Sequence, residues 1–272
     1  MKKSLFILLF TLFFSSSIFA VQTVSISIVP QMQTTLIQKN WGAFLAELSK
    51  NTGIDFKIKY YATIPLFEDG LEHGETDIAF MNPYHAVMAY NWQKYMPIIH
   101  DKKSLVGILV VKKDGAIKTI ADLNGKSLAF PAPNAFAASL LMRATLIEDK
   151  KINFKPIYVK THSNVYRDVM FGLYPAGGGV NNTLSRENTG VQSQLKILFT
   201  TEASAPHPIC VHPRIDKKTV QIIKDAILKM GMDPKYKDIM NEIQIPDPVS
   251  ADYQRDYLPL KKLKLEQYVV NE

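Results

Sequence analysis

The sequence predicts an α/β fold built from two lobes. Short apolar strands alternate with amphipathic helices from residue 24 onward, which is the order typical of sheets with helices packed on their faces. The alternation ends near residue 107 and then restarts, without a Pro-, Gly- or Ser-rich linker between the units. Two units joined in this way predict a hinge and a cleft, because ligands bind at the carboxyl ends of strands in open α/β sheets.

The first unit is predicted to contain three parallel strands and three helices. They are strands over residues 24–29, 56–60 and 77–81 and helices over 34–52, 64–73 and 84–93. In the longest helix, apolar residues recur at helical spacing: Leu36, Trp41, Phe44, Leu45 and Leu48. Gly53 follows this helix and Gly74 the next, and glycine favours the left-handed conformation that ends a helix.

The second unit opens on the apolar strand 105–111 and repeats the alternation. Its further strands are predicted over 127–130, 156–159 and 195–199, with helices over 134–148 and 164–173. After residue 202 the chain supplies a strand at 209–211 and an amphipathic helix over 217–230. Asp216 is the predicted N-cap of that helix and Gly231 its stop.

The N-terminus has the features of a secretory signal peptide over residues 1–20. Two lysines precede an apolar run over residues 5–14, and small residues lead to Ala20, where we predict cleavage. A membrane anchor is the alternative, but the run is shorter than the ~18 residues that a span needs. We therefore expect a periplasmic protein, long enough after cleavage for two lobes of about 100 to 150 residues each.

Charge and cysteine content exclude several classes of protein. The formal net charge is +7, but the basic residues are scattered rather than interleaved with aromatic ones, so we expect no nucleic-acid partner. The positive excess favours anionic ligands. Cys210 is the single cysteine, so no internal disulfide forms, and its apolar neighbours predict a buried, inert thiol.

Three segments of the chain carry a resemblance to a known family. They are residues 42–54 (GAFLAELSKNTGI), 69–80 (DGLEHGETDIAF) and 109–130 (LVVKKDGAIKTIADLNGKSLAF). They resemble the periplasmic substrate-binding proteins of phosphonate, phosphite and phosphate ABC transporters, over nearly the whole mature chain. The Asp-Leu-x-Gly-Lys motif in the last segment recurs across related exported binding proteins, so it indicates the broad fold rather than the ligand.

The resemblance implies a type II periplasmic binding fold with a hinge and an interlobe cleft. Residues 22–107 plus 203–272 would form lobe 1, and residues 108–202 lobe 2. Ligand binding would close the lobes, and a membrane permease of an ABC transporter would recognise the closed form. We expect a monomer with no cofactor.

The resemblance also places an oxyanion at a helix N-terminus, where free backbone N–H groups and the helix dipole favour negative charge. The matching residues are Asn134, Ala135, Phe136 and Ala137, the last three in place of the family's Ser-Thr-Ser. Each lost hydrogen bond to a charged group is worth ~1.5–3 kcal/mol, so a less charged or partly apolar ligand is also open. Phe136 stacks on a ligand or packs in the core.

Four further residues complete the predicted site. His162 matches a ligand-binding histidine of the family, and Asn181 matches a polar position. Gln31 and Tyr84 each follow a predicted strand of lobe 1, at its carboxyl end. Pro175 stands where the family has an aspartate facing the ligand, which argues against an aminophosphonate.

Glycines 177–179 are expected to let the backbone approach a ligand closely. His207 and His212 are a candidate metal pair, but no Cys/His/Asp cluster joins them, so we expect no metal site. We expect no enzyme activity either, because no catalytic constellation is evident. The sequence thus predicts a periplasmic protein that captures a small oxyanion, or an organic compound bearing one, for an ABC transporter. A sensor that feeds a membrane kinase and a binder of neutral or aromatic ligands are the alternatives.

Overall fold

The computed structural model describes residues 23–270, so the predicted signal peptide lies outside the described residues. The strands are β1 (Thr23–Ile28), β2 (Asp55–Lys59), β3 (Ile78–Phe80), β4 (Met96–Asp101), β5 (Leu105–Lys112), β6 (Ser127–Phe130), β7 (Lys155–Tyr158), β8 (Ala176–Val180), β9 (Leu195–Ser204), β10 (Pro208–Val211) and β11 (Pro248–Ser250). The α-helices are α1 (Thr34–Thr52), α2 (Ile64–Glu72), α3 (Pro83–Gln93), α4 (Leu141–Glu148), α5 (His162–Phe171), α6 (Asn181–Leu184), α7 (Thr189–Gln194), α8 (Lys217–Met232) and α9 (Lys237–Glu242). Among residues 23–270, no helix is long and apolar enough to cross a membrane.

The strands form two mixed sheets, which confirms the predicted α/β class. The first has the order β11-β4-β10-β3-β1-β2, and the second has the order β7-β6-β8-β5-β9. As predicted, β1 pairs in parallel with β2 and β3. The first sheet is mixed because β10, which enters from the other sheet rather than through a strand–helix–strand crossover, pairs antiparallel with β3 and β4.

The chain passes between the sheets through two short connections, residues 102–104 and 205–207. The strands on either side of these connections, β4 with β5 and β9 with β10, run almost directly from one sheet into the other. This is the short, paired linkage that the absence of a flexible linker predicts, and it gives the two lobes a common hinge.

Helix α1 covers the first sheet as predicted, with one change on its apolar face. Trp41 and Phe44 are buried, and the Trp41 ring lies 4.8 Å from the Phe80 ring of β3. Ile37 takes the core position at the start of the helix, whereas Leu36 is 44% exposed. Gly53 ends the helix with a φ of 73°, as its position predicts.

Three predicted helices have wrong boundaries. The helix predicted over 164–173 is α5, His162–Phe171. The helix predicted from Asn134 begins at Phe136 with a wide π-helical turn, Phe136–Leu140, that continues into α4. Helix α8 starts at its predicted N-cap, Asp216, but runs past Gly231 to Met232. A Cβ at Gly231 would lie 2.1 Å from the Pro248 side chain, so this glycine allows contact with β11 rather than ending the helix. Strands β4, β8 and β11 were not predicted; proline in β4 and β11 and the glycine run in β8 argue against a strand.

Glycines of the second sheet lie against the backbone of the Phe136–Leu140 turn. A Cβ at Gly107 of β5 would lie 2.4 Å from the Ala137 carbonyl oxygen, and one at Gly178 of β8 would lie 2.0 Å from the Ala138 carbonyl oxygen. Gly177 and Gly179 similarly face Val165 and Tyr166 of α5. The expectation that glycines 177–179 approach a ligand is therefore wrong, because each is packed against protein.

We predict that Gly178→Ala destabilises the protein by about 1–3 kcal/mol, since a rigid backbone carbonyl must move to make room for the methyl group. Gly42→Ala is the matched control. Gly42 lies in α1, and a Cβ added there would meet no atom within 4 Å, so alanine should stabilise by roughly 0.5–1 kcal/mol. Urea denaturation measures both changes. Equal effects of the two substitutions would contradict the packing argument.

Candidate functional site

Two neighbouring cavities lie in the cleft between the sheets, and both are lined by Gln31 and His162. The inner cavity has a volume of about 20 Å³, and the outer cavity about 360 Å³. The inner cavity is lined by Val29, Gln31, Ile64, Asn82, Ala135, Phe136, Ala137, Ala138, His162, Val180 and His207. Its volume is the room that one water molecule needs.

The structure brings five of the eight predicted site residues together in the inner cavity. They are Gln31, Ala135, Phe136, Ala137 and His162. Phe136 is 2% exposed, so its ring is largely packed within the protein. Val29 and Val180, which sequence reasoning did not select, add apolar surface to the same wall. Their signal in the sequence was only their position at the end of an apolar strand.

The start of the Phe136–Leu140 turn offers free backbone donors. Within residues 23–270, the amides of Phe136, Ala137 and Ala138 have no hydrogen-bond acceptor, whereas the Ser139 amide donates to the Ala135 carbonyl at 2.9 Å. The first amides of any helix lack intrahelical partners, and the helix dipole adds partial positive charge there. These three residues line the inner cavity, so its wall is suited to an anion.

Two histidines, one at the start of α5 and one in the connection 205–207, add neutral imidazoles to the inner cavity. His162 is the first residue of α5, whose N-cap is Thr161, and its Nδ1 lies 3.3 Å from Thr183 Oγ1. Burial lowers the pKa of His162 to about 4. His207 stacks on Phe80, and burial, with smaller effects of His85 and His162, lowers its pKa to about 3. Both rings are therefore uncharged at neutral pH.

Asn134 connects the two lobes instead of facing the inner cavity. Its Nδ2 donates to Glu68 Oε2 at 2.9 Å and to the Val270 carbonyl at 3.0 Å, while its Oδ1 accepts from the Val270 amide at 3.0 Å. Its carbonyl accepts from Asn82 Nδ2 at 3.1 Å. The side chain is 2% exposed and its donors are in use, so Asn134 fixes the start of the helical turn against lobe 1.

Glu68 is the residue of this network that sequence reasoning missed. It lies in α2, is 8% exposed, and its Oε1 lies 2.8 Å from His85 Nε2. A carboxylate buried this deeply needs partners, and His85 and Asn134 supply them. The available signal was a glutamate inside the apolar pattern of α2, which is more simply interpreted as an exposed position.

Tyr84 and Asn181 lie outside the lining of both cavities. Tyr84 is 3% exposed, and burial together with a hydrogen bond to Glu266 raises its pKa. Asn181 accepts from the Val106 amide and donates to the Ser104 carbonyl, both at 3.3 Å, and so holds the start of β5 near the hinge. Ligand contacts from these two residues stay predictions.

The two histidines of the candidate metal pair, His207 and His212, have different surroundings. The His212 ring accepts a hydrogen bond from Arg214 at 2.9 Å, while His207 lines the inner cavity. Among the residues that the structure describes, no three His, Cys, Asp or Glu side chains are grouped to hold a metal ion. Cys210 is fully buried, and burial raises the pKa of its thiol.

Two β-sheets with helices on their faces, two short connections and a cleft between the sheets are the architecture of a two-lobed periplasmic binding protein. A family model described as "ABC transporter, phosphonate, periplasmic substrate-binding protein" matches residues 26–257. The chain belongs to this family, and its role is solute binding. None of the curated proteins matches the sequence.

Solved structures share this fold at low sequence identity. A protein from Prochlorococcus marinus in complex with methylphosphonate has a TM-score of 0.81 and 15% identity, with 92% of this chain and 99% of that chain covered. A binding protein of an ABC phosphonate transporter from Pseudomonas aeruginosa has a TM-score of 0.80 and 14% identity, with 92% and 88% covered. A Xanthomonas citri protein bound to ATP has a TM-score of 0.74 and 15% identity, with 92% and 100% covered.

We predict that Asn134→Asp destabilises the protein by about 2–4 kcal/mol at neutral pH, because it replaces a donor to Glu68 with a second buried carboxylate. The stability difference between this variant and the wild type should become smaller at acidic pH, because a protonated carboxyl no longer repels its neighbour. Asn134→Ala is the control, since it loses both hydrogen bonds donated by Nδ2 without adding charge. Urea denaturation across pH separates them, and identical pH profiles for the two variants would contradict the proximity of Glu68.

We predict that His162 makes the folded state less stable in acid. Above about pH 6.5, His162 is neutral in both states and does not reduce the free energy of unfolding. Below that pH the unfolded state binds a proton at His162, whereas the folded state does not until the pH falls to the folded-state pKa of about 4. The shift corresponds to a loss of about 3 kcal/mol across that window. His162→Gln should flatten the fall of the urea midpoint between those pH values. His73→Gln, at an exposed histidine, should leave the fall in place.

Proposed function

We propose that the protein is exported through a cleaved signal peptide and captures a small oxyanion, or an organic compound bearing one, for delivery to an ABC permease. The observation that carries this proposal is the set of three unbonded amides at the start of the Phe136–Leu140 turn, on the wall of the inner cavity. Membership of the phosphonate-binding family supports it. So does the fold shared with a protein that binds methylphosphonate.

In this proposal the anion is held by dipoles rather than by a cation. The lining of the inner cavity contains neither lysine nor arginine among residues 23–270. The amides of Phe136, Ala137 and Ala138 donate to the anion, and His162 Nε2, which has no partner within the same residues, is available beside them. Preformed amide donors need little reorganisation when the ligand arrives.

Ligand entry requires movement of the lobes. A cavity of about 20 Å³ is smaller than a phosphoryl group, so the sheets must separate to admit one. Closure around the ligand then depends on the difference in binding free energy between the open and closed forms. The closed form is the one that we propose the permease recognises.

We propose further that no chemistry is done on the ligand. Within the described residues, the inner cavity is lined by no hydroxyl, thiol or carboxylate side chain, so it holds no nucleophile. Its titratable residues, His162 and His207, come from opposite lobes and are held neutral by burial. The arrangement is suited to binding alone.

Titration calorimetry with phosphate, phosphite, methylphosphonate and acetate tests the proposal. An anion beside His162 should raise the pKa of that imidazole from about 4, so binding at about pH 5.5 should take up protons. Proton uptake is measured from the dependence of the binding enthalpy on the ionisation enthalpy of the buffer. His162→Gln should reduce the uptake, and His73→Gln should not.

The proposal fails if none of these anions binds while a neutral or aromatic compound does. Binding of an anion without proton uptake would remove His162 from the site and leave the backbone amides as the binding groups.

A further inference from the structure

We propose that the outer cavity holds an uncharged, hydroxyl- or amide-bearing part of the ligand, so that the ligand is an organic oxyanion with a polar substituent. The inference rests on the proposed function, because it extends the same ligand from the inner cavity into the outer one. The ligand would thus carry, beside its oxyanion, an uncharged polar group that an inorganic anion such as phosphate lacks.

The dimensions of the outer cavity fit such a group. Its volume of about 360 Å³ lies within the range of roughly 300–1,000 Å³ that is usual for small-molecule sites. Gln31 and His162 line both cavities, so a substituent attached to an anion at the amides would pass beside these two residues to reach the outer one. Its walls come from both lobes, including Asn40 of α1 and Arg167 of α5, so the substituent would contact both.

Two buried side chains on these walls have polar atoms without partners. Asn40 is 8% exposed; its Nδ2 donates to the Glu242 carbonyl at 3.4 Å, but its Oδ1 has no partner within residues 23–270. His162 is 7% exposed, and its Nε2 likewise has none. Within residues 23–270, the fully buried side-chain atoms without a partner are His85 Nδ1, Asn182 Oδ1 and the Tyr253 hydroxyl, so the two atoms on these walls remain accessible to a ligand. Asn40 Oδ1 only accepts, so it selects a hydroxyl or amide donor on the ligand.

The charges of the outer cavity favour an uncharged substituent. Arg167 and Arg186 are offset by Glu187 and Glu242 in the same lining. Arg167 lies 4.0 Å from Glu187, which also accepts a hydrogen bond from Ser163, so part of this charge is already paired. Balanced charge gives no net attraction for a second anion or for a cation.

The remaining lining supplies amide groups and apolar surface. Gln33 and Gln244 offer side-chain amides, and Met32 and Leu36 offer apolar contacts. Leu36 is 44% exposed even though its helix buries its other apolar residues. A short polyol matches this surface, because its hydroxyls donate and accept while its carbons contact the apolar side chains.

Calorimetry with glycerol 3-phosphate, methylphosphonate and glycerol tests the inference on the wild-type protein. Glycerol 3-phosphate should bind about 10-fold more tightly than methylphosphonate, because each added neutral hydrogen bond contributes about 0.5–1.5 kcal/mol. Glycerol alone should show no measurable binding, since it lacks the anion.

Asn40→Leu removes the acceptor at nearly constant side-chain volume. It should weaken glycerol 3-phosphate about 3- to 10-fold and change methylphosphonate less than about 2-fold. Asn51→Leu is the matched control, because Asn51 lies on the same helix, makes one hydrogen bond to the Tyr236 hydroxyl and is outside both cavities. Gln33→Ala, at an exposed residue of the outer lining, provides a second test if Asn40→Leu does not fold.

Equal affinities for glycerol 3-phosphate and methylphosphonate would overturn this inference and leave the proposed function standing. Equal weakening of both ligands by Asn40→Leu and Gln33→Ala would overturn it as well. If phosphate, methylphosphonate and glycerol 3-phosphate all fail to bind, the proposed function fails and this inference fails with it.

Discussion

The close approach of the Phe136–Leu140 turn to the second sheet is the constraint on which the rest of the cleft depends. Side chains at Gly107 or Gly178 would meet the carbonyls of Ala137 and Ala138, so only glycine leaves room for the backbone of the turn. With its carbonyls held against the sheet, the turn presents its free amides on the wall of the inner cavity. The position of the anion donors is thus set by main-chain packing.

Asn134, two residues before this turn, is one of several residues that hydrogen-bond between the lobes; Arg143, Asn182 and Arg186 are others. Asn134 joins Glu68 of α2, Asn82 before α3 and Val270 at the end of the described chain. Because the same turn carries the amides, an opening of the lobes that separates Asn134 from Glu68 also moves the donors away from lobe 1. In the proposed function, hinge motion and exposure of the amides would therefore be coupled in part through Asn134, and a ligand would shift the equilibrium by its preference for the closed form.

Loss of the family's three hydroxyls has a physical counterpart in this cleft. Ala135, Phe136 and Ala137 leave the inner cavity small and largely apolar, with amides and neutral imidazoles as its polar groups. The outer cavity adds the unpaired Asn40 Oδ1 to these groups. The proposed ligand class therefore rests on the two cavities together.

The sequence by itself determined the α/β class, the helix and strand of most segments, and the candidate residues from Ala135 to Ala137 and His162. These follow from local periodicity, from caps such as Asp216 and Gly53, and from motifs, all of which act over a few residues. Only the tertiary structure decided which partners a residue contacts when those partners are distant in the chain. Asn134 has donors suited to a ligand, but Glu68 and Val270 occupy them. Glycines 177–179 make room for α5 and the helical turn rather than for a ligand. Which group packs against a glycine depends on the whole fold, so the local sequence does not determine it.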